Sequence, residues 1–168
     1  KNIIDEIIPA NTVFHTIGIH FHCPAVVFES IAVEIDFRCA VCKNCGGIVF
    51  KKIVLDFYQQ MFGDKDLTAV DKYIAPEYIQ HNPNVADGSE AFKKAAEGWF
   101  KGAPKTKIDV QHIAAEGDLV FLHIKNTNPD GSLKSTIDIF RLKDGKIVEH
   151  WDVHQDVPKE SANPHPMF

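Results

Sequence analysis

Two carboxylates and one imidazole, close together near the end of the sequence, are its groups best suited to proton transfer. Asp138 belongs to the segment 135–142, and His150 and Asp152 belong to the segment 146–155. Burial and mutual charge move the pKa values of such groups toward neutrality, where acid/base catalysts work. We therefore predict all three as catalytic residues. Asp152 is the first choice of acid/base, and His150 would orient it or donate to a developing oxyanion.

Both segments are rich in β-branched and aromatic residues, and Asp144-Gly145 between them is a strong hairpin signal. A two-residue loop sets Asp138 opposite Trp151, whereas a three-residue loop with a bulge at the glycine sets Asp138 opposite His150. The second register pairs like with like more often, and such cross-strand pairs contribute a few tenths to about 1 kcal/mol each. We predict this register, which gives one face carrying Thr136, Asp138, Phe140, Val148, His150 and Asp152.

Other polar and aromatic side chains are expected to bind substrate beside these groups. Two of them lie in a loop ended by a proline, where functional polar groups tend to lie. His123 lies on the strand 119–126, and Tyr58 lies on the first helix. Trp151 and Phe140 lie on the hairpin, where they would form the core or the pocket wall. These predicted substrate-binding residues are His81, Asn82, His123, Tyr58, Trp151 and Phe140.

Composition excludes several classes of protein. The chain has 168 residues and a net charge of -5, which suits one globular domain with a small appendage and argues against a nucleic-acid-binding protein. No apolar run is long enough for a membrane span. The four cysteines all lie between positions 23 and 45, unlike a disulfide framework for the whole chain, so we expect a reducing, cytoplasmic setting.

Residues 1–47 form an N-terminal extension of unassigned role, predicted to be rich in β-strand. Its histidine and cysteines have the spacing of a zinc ribbon in which one histidine replaces a cysteine. The alternative is a set of buried or incidental thiols, and an iron–sulfur pattern lacks its fourth cysteine. The zinc candidates are His20, Cys23, Cys39 and Cys42, with His22 and Cys45 as spares.

The second predicted domain, residues 48–168, reads as helices followed by strands. An amphipathic helix begins at Ile48 and stops at Gly63, and Asp66 caps a second helix through Ile74. Asp87-Gly-Ser-Glu90 is a capping-box signature for a third helix. Four long antiparallel strands follow, so the fold class is α+β, with three helices packed on one face of a curved sheet. The predicted strands are 105–115, 119–126, 133–142 and the last segment of the hairpin.

Residues of about 48 to 157 resemble the SnoaL-like polyketide cyclases, within the nuclear-transport-factor-2-like superfamily of cystatin-like α+β cones. The resemblance is carried by Tyr78-Ile-Gln-His-Asn-Pro83, by Val85-Ala-Asp-Gly88, and by the segment from Asp138 through Gln155. The order of helices, His-Asn-Pro loop and strands is also similar. The N-terminal extension has no counterpart in this pattern.

The resemblance implies a funnel-shaped pocket, a homodimer paired through the outer sheet face, and a cofactor-free intramolecular aldol condensation of a small hydrophobic carbonyl compound. A strand aspartate, either Asp138 or Asp152, would be the acid/base, with His, Asn or Gln side chains orienting substrate oxygens. Three alternatives stay open: a non-catalytic small-molecule-binding domain, an isomerase or dehydratase on the same fold, and a metal enzyme using His81, His150 and one of the two aspartates.

Overall fold

The computed structural model describes residues 43–128 and 130–168, with three α-helices and five strands in that part of the chain. The N-terminal extension up to residue 42 lies outside it, and so do the zinc candidates His20, Cys23, Cys39 and Cys42. No helix of the described residues is long and apolar enough to cross a membrane. The elements are α1 (Lys43–Tyr58), α2 (Thr68–Tyr73), β1 (Ile74–Gln80), α3 (Ser89–Phe100), β2 (Val110–Glu116), β3 (Leu119–Thr127), β4 (Leu133–Lys143) and β5 (Lys146–Asp156).

The sheet has the strand order β1-β5-β4-β3-β2. Strands β2 to β5 pair antiparallel, as predicted, and the α+β fold class is confirmed. The predicted sheet had four strands, and residues 77–83 were predicted only as a short extended stretch. In the structure β1 joins β5 as a parallel fifth strand and makes the sheet mixed. Pro76 lies within β1, and a proline is tolerated there because the strand is at the edge of the sheet.

The helices cover one face of the sheet, here called the inner face, which carries Thr136, Asp138, Phe140 and His150. The ring of Phe57 on α1 meets that of Phe140 edge to face, with centroids 6.0 Å apart. Burial alternates along β3 and β4, so every second side chain enters the core. The opposite, outer face carries the intervening residues. The largest fully buried side chains are Tyr78, Phe57, Phe140, Met61, Leu122, Ile124, Leu142 and Ile147.

All three helices differ in detail from their predictions. Helix α2 runs from Thr68 to Tyr73 with Leu67, not Asp66, as its N-cap residue, although Asp66 Oδ1 accepts the backbone N–H of Thr68 at 3.0 Å. Helix α1 begins at Lys43 rather than Ile48, and a π-helical turn, Gln59–Gly63, carries it to the predicted stop.

The prediction of a capping box before α3 was wrong. Gly88 is the N-cap residue, with φ +92°, and no side chain caps the helix. The carboxylate of Asp87 instead accepts the backbone N–H of Gln80 at 2.8 Å, so this side chain ties the end of β1 to the following loop.

The hairpin register was also predicted wrongly. Lys143 pairs with Lys146 across a two-residue turn, and Asp144 and Gly145 both have positive φ, as a type I′ turn requires. The pairing then shifts, and beyond the shift Asp138 lies opposite Asp152.

The shift is a β-bulge that gives β5 one extra residue, Val148, between the paired positions of Ile147 and Glu149. A one-residue shift exchanges the two faces of a strand. Because of the bulge, His150 and Asp152 lie on the same face as Asp138. This common face was predicted, but from a register that the structure does not have. Ile147, which is 0% exposed, takes the inner position predicted for Val148.

Candidate active site

A buried carboxylate with two side-chain partners lies at the centre of the inner face. Asp138 on β4 is 4% exposed, and His150 on β5 is 7% exposed. The Oη of Tyr58, from α1, donates to Asp138 Oδ2 at 3.0 Å. The Nε2 of His150 lies 2.9 Å from Asp138 Oδ1, and the ring of Phe140 stacks on the imidazole at 4.7 Å. Helix α1 and two strands thus build one connected polar group inside an aromatic environment.

The hydrogen-bond partner of His150 Nδ1 shows which nitrogens of the imidazole carry hydrogen. Its Nδ1 lies 3.0 Å from Gln80 Oε1, and the same oxygen accepts the backbone N–H of Asn82 at 2.9 Å. Gln80 Nε2 donates to the Oη of Tyr78, so the amide is oriented with its oxygen toward the imidazole. Because an amide oxygen only accepts, Nδ1 carries a hydrogen. The contact of 2.9 Å between Nε2 and Asp138 Oδ1 is then a hydrogen bond that contains one proton.

Asp152 is the cross-strand partner of Asp138 and has a different set of donors. Asn82 Nδ2 lies 2.7 Å from Oδ2 and 3.0 Å from Oδ1, and His154 Nε2 lies 3.3 Å from Oδ2. Burial raises the pKa of Asp152, but the bonds from His154 and Asn82 and the charge of His150 outweigh it and hold the pKa below its usual value. The bond to Asp152 in turn raises the pKa of His154. Asp152 is therefore held as an anion.

Tyr58 is a hydroxyl donor that keeps its proton. Burial raises the pKa of Tyr58 well above its usual value, and the nearby charge of Asp138 raises it further. Tyr58 thus stabilises negative charge on Asp138 without competing as an acid.

The structure brings six predicted site residues together and places three elsewhere. Asp138, His150, Asp152, Tyr58, Asn82 and Phe140 are in one network or in contact with it. His81 and Trp151 lie against the outer face, with their rings parallel and 4.6 Å apart. His123 is also on the outer face, with Nδ1 3.1 Å from His112 Nδ1 and Nε2 2.8 Å from Ser135 Oγ. These three face the side of the sheet opposite Asp138.

A metal site of the predicted composition is not assembled, because His81 Nε2 faces Glu149 at 2.8 Å rather than His150. Among the described residues, Asp138, His150 and Asp152 each offer a ligand atom, all within 4.8 Å of one another. Both nitrogens of His150 already have hydrogen-bond partners, however. A cation there would have to replace the proton shared with Asp138, so the donor set fits proton transfer better than it fits a metal.

Sequence reasoning missed Gln80 and His154. His154 follows His150 and Asp152 in the period of two along β5, a signal that was present in the sequence. Gln80 reaches His150 only because β1 pairs in parallel with β5, and pairing between distant segments leaves no local pattern. The register places Gln80 directly beside His150.

Residues 52–162 match the family model described as SnoaL-like polyketide cyclase. TsrD from Streptomyces laurentii is 22% identical with a TM-score of 0.53, over 64% of this chain and 88% of TsrD. AclR from Streptomyces galilaeus is 27% identical with a TM-score of 0.52, over 63% of this chain and 88% of AclR. None of the curated proteins compared with the chain matches it significantly.

The structural neighbours share the arrangement of three helices on a mixed sheet, and the matched segment contains Tyr58, Asn82 and the whole inner-face network. The family model also spans most of the residues that the structure describes. The chain therefore belongs to the SnoaL-like polyketide cyclase family.

Proposed function

We propose that this protein is a cofactor-free acid/base enzyme that closes a ring in a small hydrophobic carbonyl compound by intramolecular aldol condensation. The observation that supports this most directly is the pair of facing carboxylates. Asp138 shares one proton with His150, while Asp152 is held as an anion. An aldol step needs both a base and an acid in one place.

In the proposed reaction, the Asp152 carboxylate removes a carbon-bound proton next to a carbonyl group. The resulting enolate carbon attacks a second carbonyl carbon, forming the new C–C bond and leaving an alkoxide. The proton shared by His150 and Asp138 passes to that alkoxide. The site as a whole has then neither gained nor lost a proton. Transfer of the proton from Asp152 to the His150–Asp138 pair, which offers side-chain atoms within 4.8 Å of the Asp152 carboxylate, restores the initial state without a co-reactant.

The surroundings favour an apolar substrate. Phe140 stacks on His150, and Tyr58 contacts both Phe62, at 4.7 Å between ring centroids, and Phe140 at 6.4 Å. Aromatic walls bind flat, apolar molecules and lower the local dielectric, which strengthens the electrostatic effect of the polar network. A funnel-shaped pocket between these walls is part of the proposal.

A homodimer paired through the outer face belongs to the same proposal. Three apolar side chains on that face are unusually exposed: Ile79 at 46%, Ile137 at 40% and Val153 at 68%. Exposed apolar groups gathered on one sheet face are typical of an interface. Light scattering at several concentrations would distinguish a dimer from a monomer.

The proposal also includes a cytoplasmic setting, because the cysteines are crowded into the N-terminal extension instead of being spread along the chain.

The proposed chemistry can be tested without knowing the natural substrate. Proton removal next to a carbonyl exchanges that proton for deuterium in D2O, which 1H NMR follows on a panel of apolar diketones and aryl ketones. We expect the wild-type protein to accelerate exchange and Asp152→Asn to reduce the rate by about 10²- to 10⁴-fold. Saturable binding of the ketones without exchange by the wild type would favour a non-catalytic binding domain. Exchange that yields a rearranged or dehydrated product without C–C bond formation would favour an isomerase or dehydratase.

A further inference from the structure

The last residue of β1 and the two residues that follow the strand lie beside three consecutive residues of β5. Gln80 is in register with His150, and the next two residues, His81 and Asn82, contact the next two of β5, Trp151 and Asp152. Side chains alternate between the faces of a strand. The first and third contacts are therefore on the inner side, and the middle one is on the outer side.

The third contact is fixed in orientation. Asn82 Oδ1 accepts the backbone N–H of Asn84 at 2.9 Å, which leaves Nδ2 directed at Asp152. The backbone N–H of Asn82 is bound by Gln80 Oε1. The amide can therefore act on Asp152 only as a donor, and its position depends on how the backbone of residues 81–82 is held.

The backbone N–H of His81 donates to His150 O at 3.0 Å, and the middle contact adds a side-chain anchor from the outer face. The imidazole of His81 lies parallel to the indole of Trp151, at 4.6 Å and 5°, and its Nε2 is 2.8 Å from Glu149 Oε1. Arg141 Nε donates to the other oxygen, Oε2, at 2.8 Å. Burial raises the pKa of Glu149, but the bonds from His81 and Arg141 outweigh it, so this acceptor is an anion.

From this arrangement we propose that His81 is a positioning residue: it acts from the outer face, through Asn82, to hold the amide donor on Asp152. The proposal deepens the proposed function, because it concerns the carboxylate assigned there as the base. From the sequence, His81 and Asn82 were predicted to bind substrate. In this proposal they instead hold a hydrogen-bond donor on Asp152, the proposed base.

Other groups also act on Asp152 and stay unchanged in the test. Asp138 faces it from β4, His150 and His154 flank it on β5, and Tyr58 and Tyr78 face it from α1 and β1. Replacing His81 changes none of these side chains. A change in the titration of Asp152 would then report on Asn82.

The experiment measures the pKa of Asp152 directly, from the 13Cγ chemical shift of the full chain labelled at aspartate, with the resonance assigned by its loss in Asp152→Asn. We expect Asn82→Ala to raise this pKa by about 1 unit, because a donor to the anion is lost. We expect His81→Ala to raise it by about 0.3 to 0.5 unit, because the amide is held less firmly. His112→Ala, on the outer face away from this loop, is the matched control and should leave it unchanged.

An unchanged Asp152 pKa in His81→Ala, or in Asn82→Ala, would overturn the proposal. If His81→Ala does not fold, His81→Phe keeps a ring on Trp151 but loses the bond to Glu149, and the same rise is required of it. The titration needs no substrate. If the variants show these pKa shifts but the wild type gives no deuterium exchange, His81 remains a positioning residue and the proposed function is refuted.

Discussion

Asp138 and Asp152 are cross-strand partners on β4 and β5, yet their carboxylates bind different donors. Asp138 is bound by Tyr58 and His150, and Asp152 is bound by Asn82 and His154. One carboxylate therefore shares its proton with an imidazole, while the other is held ionised. Neighbouring titratable groups with contrasting environments are how one site provides an acid and a base at the same pH.

Removing the imidazole should be costly for stability. His150→Ala leaves the carboxylate of Asp138 buried without its main partner, and breaking a buried charged pair costs about 3–5 kcal/mol. Urea denaturation would measure this loss in the free energy of unfolding. The double variant Asp138→Asn/His150→Gln keeps two neutral polar groups in contact and should lose less. A double variant as unstable as His150→Ala would contradict the role of the unpaired charge.

The pair formed by Asp152 and His154 predicts a pH window of added stability. The folded-state pKa of Asp152 is below its unfolded value, so its contribution is present above the unfolded value and is lost as the pH falls through the folded pKa. The folded-state pKa of His154 is above its unfolded value, so its contribution is complete below the unfolded value and is lost as the pH rises through the folded pKa. Since ordinary values are about 3.9 and 6.5, the pair should stabilise the fold most between about pH 4 and pH 6.5.

Urea denaturation of the wild type and His154→Ala across this range would measure the effect. The difference in unfolding free energy should be greatest inside the window and smaller on either side. His165→Ala, an exposed histidine of the C-terminal segment, should show no such dependence. A difference for His154→Ala that stays constant with pH would mean that the ion pair does not contribute.

The π-helical turn that follows α1 ends at Gly63, where there is no room for a side chain. A Cβ on Gly63 would lie 2.8 Å from the backbone oxygen of Thr106, which cannot move without displacing its own segment. Gly63→Ala should therefore be destabilising by about 1–3 kcal/mol. The matched control is Gly98→Ala in α3, where nothing lies within 4 Å of the added Cβ and the helix should gain about 0.5–1 kcal/mol. Thermal unfolding of both variants would compare them, and equal effects would contradict the steric argument.

Local pattern predicted much of the fold and the main side chains of the site. The period of two along β5 placed His150 and Asp152 on one face, because alternation follows from strand geometry alone. That Asp138 shares this face was predicted from a register that the structure does not have. The stop at Gly63 and the turn at Asp144-Gly145 were visible as glycine signals. The fold class followed from the order of helical and strand periods.

The errors that affect the site concern how strands pair with one another. His81 was expected near the catalytic groups because it lies in a polar loop, but parallel pairing of β1 with β5 directs it to Trp151 on the outer face. The same pairing brings Gln80 to His150. The bulge is equally hard to predict, because valine is common in regular strands and nothing in the local sequence marks Val148 as the extra residue.

The role of that bulge can be tested by removing it. Deleting Val148 would make Ile147 and Glu149 neighbours in a continuous ladder with β4. The pairs beyond them would be unchanged, so His150 and Asp152 would stay on the inner face. We expect the deletion variant to keep a cooperative thermal transition and ketone exchange, because the inner-face network stays in register. Val148→Ala, which keeps the extra residue, is the matched control and should behave in the same way. A deletion variant that unfolds, or that loses exchange while Val148→Ala keeps it, would show that the bulge itself is needed to position the catalytic groups.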